Sequence, residues 1–319
     1  MHPACRQAGS YIMQIHRDIN RLPEFRNAVI TIGTFDGVHL GHHQIIGSLK
    51  QEAVKAGGES VIITFHPHPR KVVSSVITGV RLINTLPERI ELLEKTGIDH
   101  LVIVPFTEFF ANQTAEEYIR DFLVEKFRPH TIIIGYDHRF GKERSGDYKL
   151  MEEKAATYHY RLKEISEHIL NTIKVSSTNI RNAILHSRVE EANILLGYIF
   201  FFEGEVVHGD KVGRELGYPT ANLKNTDEEK IVMGDGIYAV YADVEGRSYK
   251  GMMSIGFRPT VNGRTRVTEV NLFDFNKEIY GKTIRVYVKK YLRAEVKFND
   301  LGELKEQLHK DKEESLKWL

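Results

Sequence analysis

Two rhythms of apolar and polar positions divide the chain. In the first half, short continuous apolar runs at 28–33, 60–65, 101–104 and 131–135 alternate with stretches of helical period. Over 42–56 the apolar positions are Ile45, Ile46, Leu49, Ala53 and Val54, and similar stretches cover 87–95 and 115–127. Pro87 stands where a first helical turn tolerates it, and Pro129 closes the third stretch. Continuous apolar strands between helices predict a parallel sheet covered on both faces. Ligands of such sheets bind at the carboxyl ends of the strands, so Gly33 and Gly135, which end the first and fourth runs, mark a site.

The pattern changes near residue 186. A helical stretch at 190–196 is followed by short strand-like segments at 204–207, 236–244, 248–255, 266–273 and 283–288, with turn pairs Gly246-Arg247 and Gly281-Lys282. This spacing predicts an antiparallel barrel or sandwich. A last helix is expected over 300–318, with Leu301, Leu304, Leu308 and Leu316 among its apolar positions. The expected architecture is α/β plus β: a doubly wound parallel-sheet domain over 13–185, then an antiparallel β domain with a terminal helix over 186–319.

Composition narrows the function classes. Apolar residues make up 41% and charged residues 27% of the 319, which is ordinary for globular domains. Lys plus Arg number 44 against 43 Asp plus Glu, so there is no basic excess of the kind a nucleic-acid binder shows. No apolar run is long enough to span a membrane, and the N-terminus lacks the apolar stretch of a signal peptide. Cys5 is the single cysteine, which excludes an internal disulfide and favours a reducing compartment. Residues 1–12 differ in character from the rest, and Met13 offers an alternative start. The expectation is a cytoplasmic protein acting on small molecules, with neither nucleic acid nor membrane as partner; nothing in the sequence sets its oligomeric state.

The chemistry concentrates in a few strings. Gly33-Thr34-Phe35-Asp36-Gly37-Val38-His39-Leu40-Gly41-His42 follows the first strand and opens a helix. Helix N-termini attract anions, Gly37 and Gly41 let backbone approach a phosphate, and His39 and His42 can hydrogen-bond its oxygens. A bare pair of histidines three apart would read as a solvated turn; the whole string reads as a nucleotide cradle. No Walker-type loop occurs, and a zinc site lacks a third ligand. Val175-Ser176-Ser177-Thr178-Asn179-Ile180-Arg181 taken alone is a helix N-cap.

Together these two strings resemble the paired signatures of the HIGH nucleotidyltransferase superfamily. Thr64-Phe65-His66-Pro67-His68-Pro69 and Gly135-Tyr136-Asp137-His138-Arg139-Phe140-Gly141 sharpen the resemblance to the FMN adenylyltransferase module of bacterial bifunctional riboflavin kinase/FAD synthetases. The resemblance implies a Rossmann-like fold. It implies ATP bound by Gly33, Phe35, Asp36, Gly37, Gly41, Ser176, Ser177 and Thr178, with His39, His42 and Arg181 catalytic. It implies flavin against Phe65, Pro67, His68 and Asp137. His138 departs from it, standing where the family usually has an aromatic residue.

The resemblance continues past residue 200. Gly204 to Gly209, then Gly213-Arg214-Glu215-Leu216-Gly217-Tyr218-Pro219-Thr220-Ala221-Asn222, is similar to the flavokinase signature. It implies a β-barrel kinase with ATP at Gly209, Gly213, Arg214, Gly217 and Pro219, and Mg²⁺ on the neutral oxygens of Thr220 and Asn222. Without it the stretch reads as a glycine-rich hairpin. Glu269 alone would be a solvated position on an alternating strand; the resemblance makes it the base for the ribityl 5′-hydroxyl. It also puts Arg293 near the flavin. Tyr198 and Val261 depart from the pattern. Gly234-Asp235-Gly236-Ile237-Tyr238-Ala239 fits a dinucleotide motif but leads into a strand, so that geometry fails. Asp227-Glu228-Glu229 reads equally as a solvated loop or a lid edge. The implied activity is phosphorylation of riboflavin to FMN, then adenylylation of FMN to FAD, with ATP and Mg²⁺ in both steps. A rival reading is a flavin-binding regulatory protein with vestigial sites; against it stands retention of His39, His42, Arg181, Thr220, Asn222 and Glu269, polar groups that contribute little to packing.

Overall fold

A computed structural model of the chain describes residues 12–73, 81–165, 175–209, 212–260 and 263–319; Cys5 and Val261 lie outside them. By its contacts the chain forms two compact units. One is Leu86–Val175 with the chain up to Val80; the other is Ser176–Leu319 with the short segment Arg81–Thr85.

The first unit holds β1 (Gln14–His16), β2 (Val29–Ile32), β3 (Ser60–His66), β4 (His100–Pro105), β5 (Thr131–Gly135) and β6 (Arg161–Ile165) in one sheet. Their order is β1-β4-β3-β2-β5-β6 and every pairing is parallel. The interior strands β2 to β5 are the four anticipated runs, buried along nearly their whole length. The edge strands β1 (Gln-Ile-His) and β6 (Arg-Leu-Lys-Glu-Ile) were not anticipated. Each has one strand neighbour and is partly exposed, so it needs no continuous apolar run. The chain steps outward from β2 through β3 to β4, then returns to β5 on the other side of β2. That reversal is a switch point, where the loops leaving neighbouring strands part and leave a crevice.

Helix Leu40–Lys55 buries Ile46, Leu49 and Ala53, as its spacing predicts. The helical stretch expected over 115–127 has a π-helical centre, Tyr118–Val124. The wider turn lets Tyr118, Ile119, Phe122 and Leu123 all face the core, and Thr114 opens the stretch with a capping box to Glu117. Helix Tyr148–Tyr158 was not anticipated; Met151 is its only buried residue, so its apolar stripe is weak.

In the second unit β7 (Phe201–Val207), β8 (Thr220–Asn225), β9 (Gly236–Val244), β10 (Arg247–Thr260), β11 (Gly263–Leu272) and β12 (Thr283–Arg293) close an antiparallel barrel in the order β10-β11-β8-β7-β12-β9. Helix Leu301–Trp318 begins where Asp300 caps it, its carboxylate accepting from the Glu303 N–H at 2.9 Å. Segment Arg81–Thr85 is clasped onto this unit. Leu82 donates to the Glu229 carbonyl at 2.7 Å and accepts from the Ile231 N–H at 2.8 Å. Lys230, buried, donates to the Ile83 carbonyl at 2.8 Å with its ammonium 4.9 Å from the Phe200 ring. Tyr198, one of the departures from the family pattern, donates to Asn84 Oδ1 at 3.0 Å. The acidic run is part of this clasp: Asp227 accepts from the Glu229 N–H at 2.7 Å, a turn that presents backbone to the segment.

Candidate active sites

The nucleotide string leaves β2 through a tightly curled loop. Phe35, Gly37 and Val38 adopt left-handed φ angles of 49°, 93° and 36°. For the β-branched Val38 this is costly, and its burial together with a hydrogen bond from its N–H to the Phe35 carbonyl (3.1 Å) holds it there. The helix then starts at His39, whose Nδ1 accepts from the His42 N–H at 3.3 Å. That bond fixes the tautomer, with the proton on Nε2. The His39 and His42 rings stack with centroids 3.6 Å apart, and Phe35 lies 4.9 Å from His42. Gly41 permits this, because a Cβ there would come within 3.2 Å of the His39 ring. Burial, then the charges of His39, His43 and Arg89, hold the His42 pKa well below the ordinary histidine value, so it is neutral at pH 7. No acidic residue occupies the first turn of the helix, whose N-terminus carries the positive end of its dipole. Asp36 is buried beneath the loop.

The other strings of this unit also sit at strand ends. Phe65 packs edge-to-face with Phe106 (5.4 Å), and the His66–Pro67 peptide is cis. Pro67 is exposed, whereas His68 is buried with its Nδ1 accepting from the Arg70 N–H at 3.2 Å. Asp137 is exposed in the loop after β5. Beside it His138 stacks on Phe140, which stacks on Tyr118. Burial pulls the His138 pKa down to about 4, so the imidazole stays neutral within this stack of rings.

This has a measurable consequence. The unfolded chain takes up a proton on this histidine near 6.5 and the folded chain only near 4, so stability falls as pH drops through that window. The gap corresponds to about 3 kcal/mol. His138→Phe is expected to flatten the fall in urea midpoint between neutral pH and pH ~5. Some slope remains, because His16, His42 and His43 are lowered in the same direction. An unchanged slope would refute a neutral, half-buried His138.

Ser176, Ser177, Thr178 and Arg181 belong to the second compact unit, whereas the histidine string belongs to the first. Ser176 is the N-cap of helix Ser177–Leu185, its hydroxyl accepting from the Asn179 N–H at 3.2 Å, so the cap geometry is present. Thr178 is exposed on the first turn and Arg181 is half-buried on the next.

The kinase strings converge on β8 and β11. β8 was missed as a strand because only Leu223 is buried in Thr-Ala-Asn-Leu-Lys-Asn. Thr220 and Asn222 are two residues apart and share a face. The antiparallel register sets Asn222 opposite Glu269 and Thr220 opposite Asn271, so all four side chains lie on that face. The Glu269 side chain is 12% exposed and paired with the Arg258 guanidinium, a partner the sequence did not reveal. Thr220, Glu269, Arg258 and Arg293 line a cavity of about 290 Å³ with Met252 and Leu308 among its apolar walls. A second cavity of about 450 Å³ is lined by Arg214, Pro219, Thr220, Lys277 and Tyr280, so Thr220 borders both. The glycines act sterically. A Cβ on Gly209 would fall 2.2 Å from the Asn222 amide, one on Gly213 would fall 2.4 Å from the Tyr218 carbonyl, and Gly217 has φ 85°. Arg293 is held by the buried Asp311 of the terminal helix through two bonds of 2.7 and 2.5 Å. Among the described residues no group of three acidic, histidine or cysteine side chains could hold a metal ion.

Residues 22–179 match the FAD synthetase family and residues 196–319 the riboflavin kinase family. A bifunctional riboflavin kinase/FMN adenylyltransferase of Bacillus subtilis is 38% identical over 303 residues, covering 92% of this chain and 93% of its own. One from Escherichia coli K12 is 35% identical over 304 residues, covering 94% and 96%. A crystal structure described as a macrolide-efflux protein from Streptococcus pneumoniae has a TM-score of 0.85 at 31% identity, over 97% of this chain and 100% of its own. No helix among the described residues of the present chain is long and apolar enough to cross a membrane.

Proposed function

The chain belongs to the family of bifunctional riboflavin kinase/FMN adenylyltransferases, and from that premise we propose which of its residues carry the two reactions. It is a transferase that spends two ATP molecules: one phosphorylates riboflavin to FMN, the other adenylylates FMN to FAD with release of pyrophosphate.

For the kinase step, the smaller cavity takes riboflavin. Its apolar walls suit the isoalloxazine ring, and Glu269 takes the proton of the 5′-hydroxyl as it attacks. The larger cavity, with Arg214, Lys277 and Tyr280, takes ATP. One observation carries this reading: Thr220 borders both cavities and shares a face with Asn222 and Glu269. Mg²⁺ fits that face, since two neutral oxygens suit a hard ion whose charged ligands are nucleotide phosphates. When bound it neutralises charge on the phosphates in transfer. Arg293, committed to Asp311, supports the flavin by fixing the cavity wall against the terminal helix.

For the adenylyl step, His39 through Nε2–H, His42 and the helix N-terminus hold the phosphates of the second ATP. The family strings set Phe65, Pro67, His68 and Asp137 against the flavin, and the resemblance alone assigns Ser177, Thr178 and Arg181 to ATP. The functional halves proposed are 13–185 and 186–319. They differ from the compact units by residues 176–185, which carry an adenylyltransferase string yet group with the second unit, and by the segment Arg81–Thr85, which groups there too. Reliance on ATP favours the cytoplasm as the place of action.

The test is chromatography of products from riboflavin and ATP over a range of Mg²⁺ concentrations. Thr220→Ala and Asn222→Ala are expected to slow FMN formation about a hundred-fold, with part recovered at high Mg²⁺, and to leave FMN-to-FAD conversion unchanged. Wild-type Mg²⁺ dependence in both variants would remove these residues from the metal site.

A further inference from the structure

We infer that Arg89, which belongs to none of the motif strings, is a positioning residue of the adenylyl-transfer site that holds the nucleotide loop in its working shape. The inference rests on the reading of residues 33–42 as the ATP cradle.

The last paired residues of β2 and β3 are Ile32 and Ile63, with the Gly33 N–H still reaching the Ile63 carbonyl at 3.0 Å. Beyond that point the two chains part, one into the nucleotide string and one into the string at 64–69. Carbonyls just past the end of a ladder lose their strand partner and need other donors. Arg89, on helix Leu86–Glu94 and 3% exposed, supplies them on both sides at once. Its Nη1 donates to the Thr34 carbonyl, and its Nη2 donates to the Phe65 carbonyl at 3.3 Å. Thr64 Oγ1 adds a second bond to the same Thr34 carbonyl at 3.2 Å. Thr34 immediately precedes Phe35, the first left-handed residue of the loop. The fork therefore pins the cradle at its root.

A buried guanidinium is an expensive way to fill a core, since an apolar side chain of similar volume usually packs at least as well. The Arg89 Nε is itself buried without a hydrogen-bond partner. What the guanidinium provides, and an apolar side chain or a lysine does not, is a planar fork that reaches two divergent carbonyls. Its charge has a second effect. The titratable groups facing His42 are His39 and His43 from its own end of helix Leu40–Lys55, and Arg89 from the neighbouring helix; Asp36 faces Arg89. Arg89 thus helps keep His42 neutral where phosphate oxygens are to be held.

The test uses the full chain and its two reactions. Arg89→Met is expected to raise the ATP KM of FAD formation about ten-fold or more. The acidic limb of that reaction should move to higher pH, because His42 protonates more readily once the neighbouring charge is gone. Riboflavin-to-FMN conversion in the same preparation should stay at the wild-type rate. Arg89→Lys keeps the charge but not the fork, so it should keep the pH limb and still raise the KM. Wild-type KM and pH limb in Arg89→Met overturn the inference; should that variant fail to fold, a wild-type KM in Arg89→Lys overturns it equally. If replacing His39 and His42 leaves FAD formation intact, the cradle reading itself has failed, whatever Arg89 does.

Discussion

Glu269→Gln is expected to cut FMN formation about a thousand-fold, within the range a positioned general base contributes. The same protein should convert added FMN to FAD at the wild-type rate. The amide keeps the size of the carboxylate and an oxygen for the Arg258 guanidinium, so the cavity wall survives while the basic group is lost. Arg258 is 32% exposed, so the guanidinium freed of its ion pair is met by water rather than stranded. The position is also rigidly specified. Glu269 lies opposite Asn222 on one side and Ser254 on the other, inside a closed barrel, so its place on the cavity wall is set by the strand register. Chromatography of riboflavin, ATP and Mg²⁺ incubations decides the matter. FMN formation within ten-fold of wild type would leave Glu269 as a partner of Arg258 and nothing more.

The elements legible in the sequence are those whose environment forces a simple pattern. Strands β2 to β5 are buried on both faces, so they had to be continuous apolar runs. Helix Leu40–Lys55 buries one face, so it had to repeat at helical spacing. What escaped falls into two kinds. Strands β1, β6 and β8 are short and polar, the first two because they lie at sheet edges and β8 because its cavity face carries Thr220 and Asn222. Polar residues on that face erase the alternation by which a strand is recognised. The second kind is pairing between distant charges and carbonyls. Arg89 reaches Thr34 across 55 positions, Arg293 reaches Asp311 from strand to terminal helix, and Lys230 reaches Ile83 across 147. Each residue sits at an unremarkable place in its own element, and only the fold shows what it serves. Glu269 is intermediate: its strand is legible, but its role entered through the family resemblance.

His39→Ala combined with His42→Ala should stop the reaction sequence at FMN. FAD formation from added FMN is expected to fall about a thousand-fold, the scale of losing preorganised donors to a charged transition state. The two histidines stack on one another at the same helix end, so the double change should cost little more than the worse single change. His39 also caps the helix, and losing a cap costs about 1 kcal/mol. His39→Asn separates the two duties, because asparagine caps helices well but presents no Nε2–H at the same reach. If His39→Asn restores stability without restoring FAD formation, the imidazole acts on the phosphates. If it restores both, His39 serves the site only by starting helix Leu40–Lys55, and the burden of phosphate binding passes to His42 and the backbone of the loop. FMN production should be untouched in every one of these variants, since the residues assigned to that step all lie in the barrel, its loops and the terminal helix. A variant that loses both activities has lost its fold, and one that retains FAD formation within ten-fold removes the histidines from the reaction.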